Sequence, residues 1–226
     1  MESHLCLAAK KDCTHWHGLA EQQLVDCAGA YNNNGCSGGL PSQAFEYIKY
    51  TGGIEFEESY PYIANETGTC KSCTCCHDVA KVAEVFNITS GDEDDLVHAV
   101  ATLGPVSIAY QVSPDFRFYA HGVYDSWNAT TNQTMCNNTA MDVNHAVVAV
   151  GLGTTADDKI PYYIVRNSWG TSWGMEGHFW MKRGENLCGV SDCASFPLVP
   201  LDGTNEKIWK PKQATSSLVN EVTEQR

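Results

Sequence analysis

The hydrophobic pattern of the chain changes period once, near Gly104-Pro105. Before that point apolar residues recur at helical spacing. Leu5, Leu7 and Ala8 predict a helix over 2–10, and Leu19, Leu24 and Val25 predict another over 19–26. A third helix is predicted over 42–50, capped by Ser42 and stopped by Gly52-Gly53. A fourth, with an acidic cap, is predicted over 92–103. Beyond residue 105 the period becomes two, and 106–109, 145–150, 162–166 and 178–181 read as strands separated by glycine-rich turns. Helices early and strands late predict an α+β protein with segregated halves. The halves are expected over 1–89 and 90–200. Residues 201–226 lack periodicity, are rich in Lys, Glu, Thr, Ser and Gln, and read as a disordered tail.

Composition narrows the setting. Lys and Arg number 14 against 27 Asp and Glu, a net charge of −13 with no basic patch, which argues against a nucleic-acid partner. No window approaches the roughly 18 uninterrupted apolar residues of a membrane span, so no membrane partner is expected. Eleven cysteines are many for a reduced cytosolic protein and fit an oxidising compartment. Sequons at Asn65, Asn87, Asn128, Asn132 and Asn137 agree, as N-glycosylation acceptors of a secreted chain. Met1-Glu2-Ser3-His4-Leu5, by contrast, enters helix-like sequence directly, without the apolar run of a signal peptide.

Two segments carry candidate chemistry. Asn144-His145-Ala146-Val147 sets a histidine at the mouth of a small, apolar strand, and Arg166-Asn167-Ser168-Trp169-Gly170 sets an amide among indoles and glycines. Alone, the first is as a rule a structural histidine and the second a tryptophan-stabilised turn. Together they carry more weight. An imidazole acting as general base needs a partner that fixes its ring and tautomer, and an amide shielded by an indole can do that. The Asn- and Gly-rich stretch from Ala28 to Pro41 reads as a loop with positive φ at several points.

With these pieces on the page, the chain resembles the papain-like cysteine peptidases from residue 1 to about Pro200. The resemblance rests on Glu21-Gln22-Gln23-Leu24-Val25-Asp26-Cys27, Gly35-Cys36-Ser37-Gly38-Gly39, Tyr60-Pro61-Tyr62, Gly104-Pro105-Val106, Asn144-His145-Ala146 and Asn167-Ser168-Trp169-Gly170 through Trp173-Gly174. Gly39-Leu40-Pro41-Ser42-Gln43-Ala44-Phe45 and Leu187-Cys188-Gly189-Val190-Ser191-Asp192-Cys193 are most similar to the cathepsin H and aleurain branch. The resemblance implies two subdomains facing across a cleft, helical in one half and antiparallel β in the other. It implies that His145 is the general base, Asn167 its orienting amide and Trp169 the shield of their hydrogen bond. Gly38 and Gly39 would pair with the substrate's main chain. Leu40, Pro41, Ala146 and Cys193 would line the pocket for the second residue before the cut, and Trp173 would pack the primed side. For all these pocket positions plain core packing is the alternative. Cys27 with Cys70 and Cys136 with Cys188 match two of the family's bridges.

The family's Cys-Gly-Ser-Cys-Trp nucleophile segment does not occur in these residues. In the resemblance, Met1 falls about nine residues after that cysteine, so the nucleophile, the oxyanion-hole glutamine and the partner of Cys36 are all expected upstream of Met1. Cys6 and Cys13 are poor substitutes. A shift of about 15 residues along a helix moves a side chain roughly 22 Å, against the 3 to 4 Å the base must span. They could pair with each other. Cys73, Cys75 and Cys76 beside His77 suit loop disulfides better than zinc, so no metal and no cofactor are expected. The implied function is hydrolysis of peptide bonds in peptides or proteins by a monomer in a lysosome, vacuole or extracellular space, with a propeptide or protein inhibitors as further partners. These residues by themselves would be inactive and poorly stable. The alternative is an inactive papain-fold homologue that binds peptides or inhibitors. Intact His145 and Asn167 favour the peptidase.

Overall fold

The computed structural model of the chain describes residues 1–9, 18–71 and 80–200. The expectations for Cys13, for the cluster Cys73, Cys75, Cys76 and His77, and for the 201–226 tail lie outside the described residues.

Helix α1 (Glu2–Ala9) and helix α2 (Glu21–Cys27) open the chain. Leu19 belongs to neither, because it makes an antiparallel bridge to Phe56. Two short 3-10 turns carry the loop to α3 (Pro41–Thr51), with left-handed backbone at Asn32 and Gly35 between and within them. Ser42 does not cap this helix. Leu40 is the N-cap, in extended conformation and without a side-chain bond, and Pro41 occupies the first helical position, where its missing N–H leaves no bond unmade. Gly52, at φ 96°, ends the helix in the left-handed turn expected there.

Strand β1 (Glu84–Asn87) precedes α4 (Glu93–Thr102), whose N-cap Asp92 accepts a hydrogen bond from Asp95 N at 2.9 Å. Glu93, Asp94 and Asp95 complement the positive end of the helix dipole. Then follow β2 (Val106–Tyr110), β3 (Val123–Tyr124), β4 (Trp127–Asn128), β5 (Gln133–Thr134), β6 (His145–Thr154), β7 (Pro161–Arg166), β8 (His178–Lys182) and β9 (Ser195–Leu198). Seven form one sheet in the order β1-β9-β2-β6-β7-β8-β3, antiparallel except where β3 meets β8, and β4 with β5 makes a separate hairpin. Strand β6 runs past its expected end at Val150, its pairing with β7 shifting at a bulge between Ala149 and Gly151 and continuing to Thr154.

Two hydrophobic clusters follow. One, in the helical part, gathers Leu19, Ala28, Tyr47, Ile48, Ile54, Ala80, Val82 and Val85, with Leu5 and Phe45 against it. The other fills the sheet side from Ile88 to Phe196. Strand β1 is the seam: Val85 joins the first cluster, while the next residue, Phe86, stacks on Phe196 at 5.3 Å between ring centroids and packs on the second. Successive strand residues face opposite sides, so one strand can serve both cores. Helix α1 also reaches across, with His4 Nε2 2.7 Å from Pro105 O and its ring stacked toward Phe196.

Cys27 is bonded to Cys70 and Cys136 to Cys188, with Cα separations of 4.8 and 5.1 Å, as the resemblance implied. Cys6 is also disulfide-bonded. Cys36 and Cys193 are free thiols. Among the described residues no helix is long and apolar enough to cross a membrane.

Candidate active site

Backbone pairing puts His145 in place. It is the first residue of β6 and lies opposite Tyr110, the last of β2. The neighbouring Asn144 locks that end: its backbone N–H donates to Tyr110 O at 3.1 Å, and its Oδ1 accepts from Val112 N at 2.8 Å. The Tyr110 ring meets the imidazole edge to face at 5.8 Å. Tyr110 is fully buried, and burial pushes its phenol far above the ordinary value, so it stays neutral.

Asn167 follows β7 directly, and its backbone N–H donates to Gly177 O at 2.9 Å. Its Oδ1 lies 2.9 Å from His145 Nε2 and accepts from Ser168 N at 2.8 Å. This pair of contacts decides the tautomer. A backbone N–H can only donate, so the atom facing it is the amide oxygen, and the imidazole nitrogen facing that same oxygen must carry a proton. Neutral His145 is therefore protonated on Nε2 and holds its lone pair on Nδ1. The arrangement leaves Asn167 Nδ2 buried with no hydrogen-bond partner, at a cost of about 1–3 kcal/mol.

Trp169 lies 5.2 Å from the imidazole, centroid to centroid, and packs edge-on against Phe116 at 5.7 Å and Trp173 at 5.0 Å. An indole in that place keeps water from competing for the His145–Asn167 bond. Trp173 does not line the cavity beside His145. It packs against the β-side core, and its Nε1 donates to Arg117 O at 3.2 Å.

The remaining expected site residues divide between places. His145 and Trp169 share a cavity of about 740 Å3 with Val112, Ser113, Pro114, Arg117, Phe118 and Asn144. Gly38, Gly39, Leu40 and Pro41 line a different cavity, of about 420 Å3, with Met1, Leu19, Leu24 and Phe45. Glycine is required twice in that wall. Gly38 has φ 99°, and a Cβ on Gly39 would run into the Asn33 side chain. Ala146 is exposed on β6, opposite Ala109. Cys193 is half-buried, and burial, with Asp192 adding to it, pushes its thiol up. Among the described residues no three metal-ligating side chains gather.

Sequence reasoning passed over four contributors. Asn144 entered only as part of a motif, although hydrogen-bonding side chains next to strand ends often clamp a neighbouring strand. Gln22 and Gln23, also quoted only as motif letters, are both about 1 % exposed. Gln23 Nε2 donates to Tyr47 Oη at 3.0 Å and its Oε1 accepts from Glu55 N at 2.8 Å, while Gln22 ties α2 to Ile63 N and Asn65 O. Arg117 sits in a turn with no periodicity and gave no signal at all.

The chain is 56 % identical over 181 residues to pro-cathepsin H of Medicago truncatula, covering 80 % of this chain and 49 % of that one. It is 53 % identical over 181 residues to an aleurain-like thiol protease of Arabidopsis thaliana, covering 80 % and 48 %. It thus spans about half the length of the curated relatives it matches. Among solved structures, the proform of a ragweed pollen cysteine protease superposes with a TM-score of 0.74 at 35 % identity, over 88 % of this chain and 56 % of that one. The model of the papain family cysteine proteases matches residues 1–198, and it is to this family that the chain belongs.

Proposed function

We propose that the protein is a cathepsin H-like cysteine peptidase in which His145 and Asn167 serve a cysteine carried N-terminal to Met1. The observation that carries this reading is the 2.9 Å contact between His145 Nε2 and Asn167 Oδ1 with Ser168 N–H on the same oxygen. It leaves the basic lone pair on Nδ1. In the proposed reaction the thiol proton passes to Nδ1 and the thiolate adds to the peptide carbonyl carbon. The C–N bond then breaks as Nδ1 returns the proton to the leaving amine, which leaves a thioester. Water attacks the thioester, giving its proton to Nδ1, and the thiolate leaves and is reprotonated. Asn167 holds the ring throughout and stabilises the imidazolium that forms twice.

Gly38 and Gly39 are assigned to main-chain pairing with the acyl half of the substrate, and Leu40, Pro41, Ala146 and Cys193 to its side-chain pocket. The setting proposed is a lysosome, vacuole or the extracellular space. Support comes from the two disulfides and from the sequons, of which Asn65, Asn87, Asn132 and Asn137 are exposed. The protein is proposed to act as a monomer with a propeptide as its partner in cis, a reading supported by its procathepsin-like relatives.

The test compares these 226 residues alone with the same chain extended by the upstream coding sequence, using a fluorogenic dipeptide amide and a thiol-alkylating inhibitor. Inhibitor-sensitive turnover is expected from the extended chain, reduced about 10²- to 10⁴-fold by His145→Ala and by less in Asn167→Ala. Turnover by the 226 residues alone would mean that one of their own cysteines is the nucleophile. Peptide binding without turnover by the extended chain would identify an inactive binding homologue.

A further inference from the structure

Among the described residues, Arg117 carries the only formal charge in the lining of the cavity beside His145. The apolar part of that lining is Val112, Pro114, Phe118 and Trp169. Arg117 is exposed, and among the described residues no ion pair holds it. Its backbone, however, is fixed. Trp173 Nε1 donates to its carbonyl oxygen, and the turn at Pro114–Phe118 is anchored where Ser113 Oγ and Tyr124 Oη both bond Asp115 Oδ1. Asp115, the acid two residues before Arg117, is therefore engaged with hydroxyls. An uncommitted guanidinium on a pinned turn, in a chain of net charge −13, is placed to receive an anion from outside.

Which part of a substrate reaches it follows from the division of the two cavities. The glycine wall assigned to the acyl half lines the other cavity, so the one shared by His145 and Arg117 receives the leaving amine and the residues beyond it. We propose that Arg117 makes this cavity selective for leaving groups that carry a carboxylate. The carboxylate can be an acidic side chain on the first or second residue released, or the free C-terminus of a short substrate. This assignment rests on the peptidase reading above.

Internally quenched peptides that differ only after the cleavage point, with Glu, Gln or Lys at the first or second position and an amidated end, test the side-chain source. A Gln peptide with a free C-terminus tests the other. With the extended enzyme, kcat/KM for the Glu peptides is expected to exceed that for the Lys peptides by about three- to tenfold at low salt, and to converge with it near 1 M NaCl. Arg117→Gln should abolish the preference and Arg117→Glu should invert it. A free-carboxylate peptide preferred while Glu and Lys peptides are cleaved equally would assign the cavity to C-termini. Equal rates for all these peptides, with turnover intact, would overturn the inference and leave the peptidase reading standing.

A binding arm does not depend on turnover. An amidated peptide with two glutamates, titrated into the extended chain with its thiol carbamidomethylated, should change the tryptophan fluorescence in a saturable, salt-sensitive way that Arg117→Gln removes. Circular dichroism of both proteins checks that each is folded. An unchanged titration in folded Arg117→Gln overturns the inference whatever the peptidase assay gives.

Discussion

In the β half, the Phe116 ring packs against those of Tyr110, Tyr119, Tyr124, Trp169, Trp173 and Phe179, whereas the smaller core of the helical half is closed largely by side-chain amides. Gln23 joins α2 to Tyr47 and Glu55, and Gln22 joins it to the 63–65 segment. The β half is thus held by contacts that depend on volume, and the helical half by contacts that depend on direction. The difference suits their proposed tasks. Interlocked rings keep Trp169 over His145 with little freedom, while directional bonds set the course of an irregular chain that has few apolar residues to offer.

The sharpest way to break the contrast is Phe116→Ala. Removing a fully buried ring that touches six others should destabilise the chain by about 3–5 kcal/mol in urea unfolding, and loosen Trp169 enough to weaken the near-ultraviolet circular dichroism. A loss below about 1 kcal/mol would mean that the aromatic cluster does not depend on its centre. Gln23→Ala probes the other half. It leaves the Glu55 N–H and the Tyr47 hydroxyl without their partner, and the expected loss is about 1–3 kcal/mol, with faster amide exchange at residues 53–55 and unchanged exchange in β6 and β7. Equal acceleration in both halves would show a single cooperative unit and erase the distinction.

The smallest effect lies at the junction. Burial holds His4 below its ordinary pKa, outweighing the hydrogen bond to Pro105 O. The unfolded chain therefore takes up a proton first on acidification, and the stability contributed by neutral His4 is present above about pH 6.5 and lost as pH falls from there toward the folded value. His4→Gln keeps a donor for Pro105 and does not titrate. The urea midpoint of the unsubstituted chain should fall more between pH 7 and pH 5 than that of His4→Gln, and parallel curves would remove His4 from the account.

What could be read from the residues depended on length and on local chemistry. Strands β2, β6, β7 and β8 run for five residues or more and show their alternation, whereas β1 and β9 have four residues and β3, β4 and β5 two, too few for a period to emerge. Asp92 was legible as a cap because its side chain acts on the next turn. Ser42 was wrongly read as a cap because the preference for proline at the first helical position competes with the preference for serine at the cap. His145 and Asn167 stood out by residue type and by resemblance. That Gly38 to Pro41 line one cavity and His145 another, and that Arg117 joins His145, are matters of tertiary placement, on which neither propensity nor spacing bears.

The seam strand also sets a timetable for biosynthesis. Glu84 of β1 pairs with Leu198 of β9, so the strand that serves both cores waits for roughly a hundred further residues before its hydrogen-bonding edge is covered. At ribosomal speeds of about 5–20 residues per second that interval is on the order of 5–20 seconds. Throughout it the nascent chain presents an open strand edge with apolar Val85 and Phe86 at its centre, the kind of surface that chaperones bind and neighbouring chains can capture. Release of the C-terminal strand from the exit tunnel, rather than the folding of either half, then becomes the event that ends the chain's exposure to aggregation.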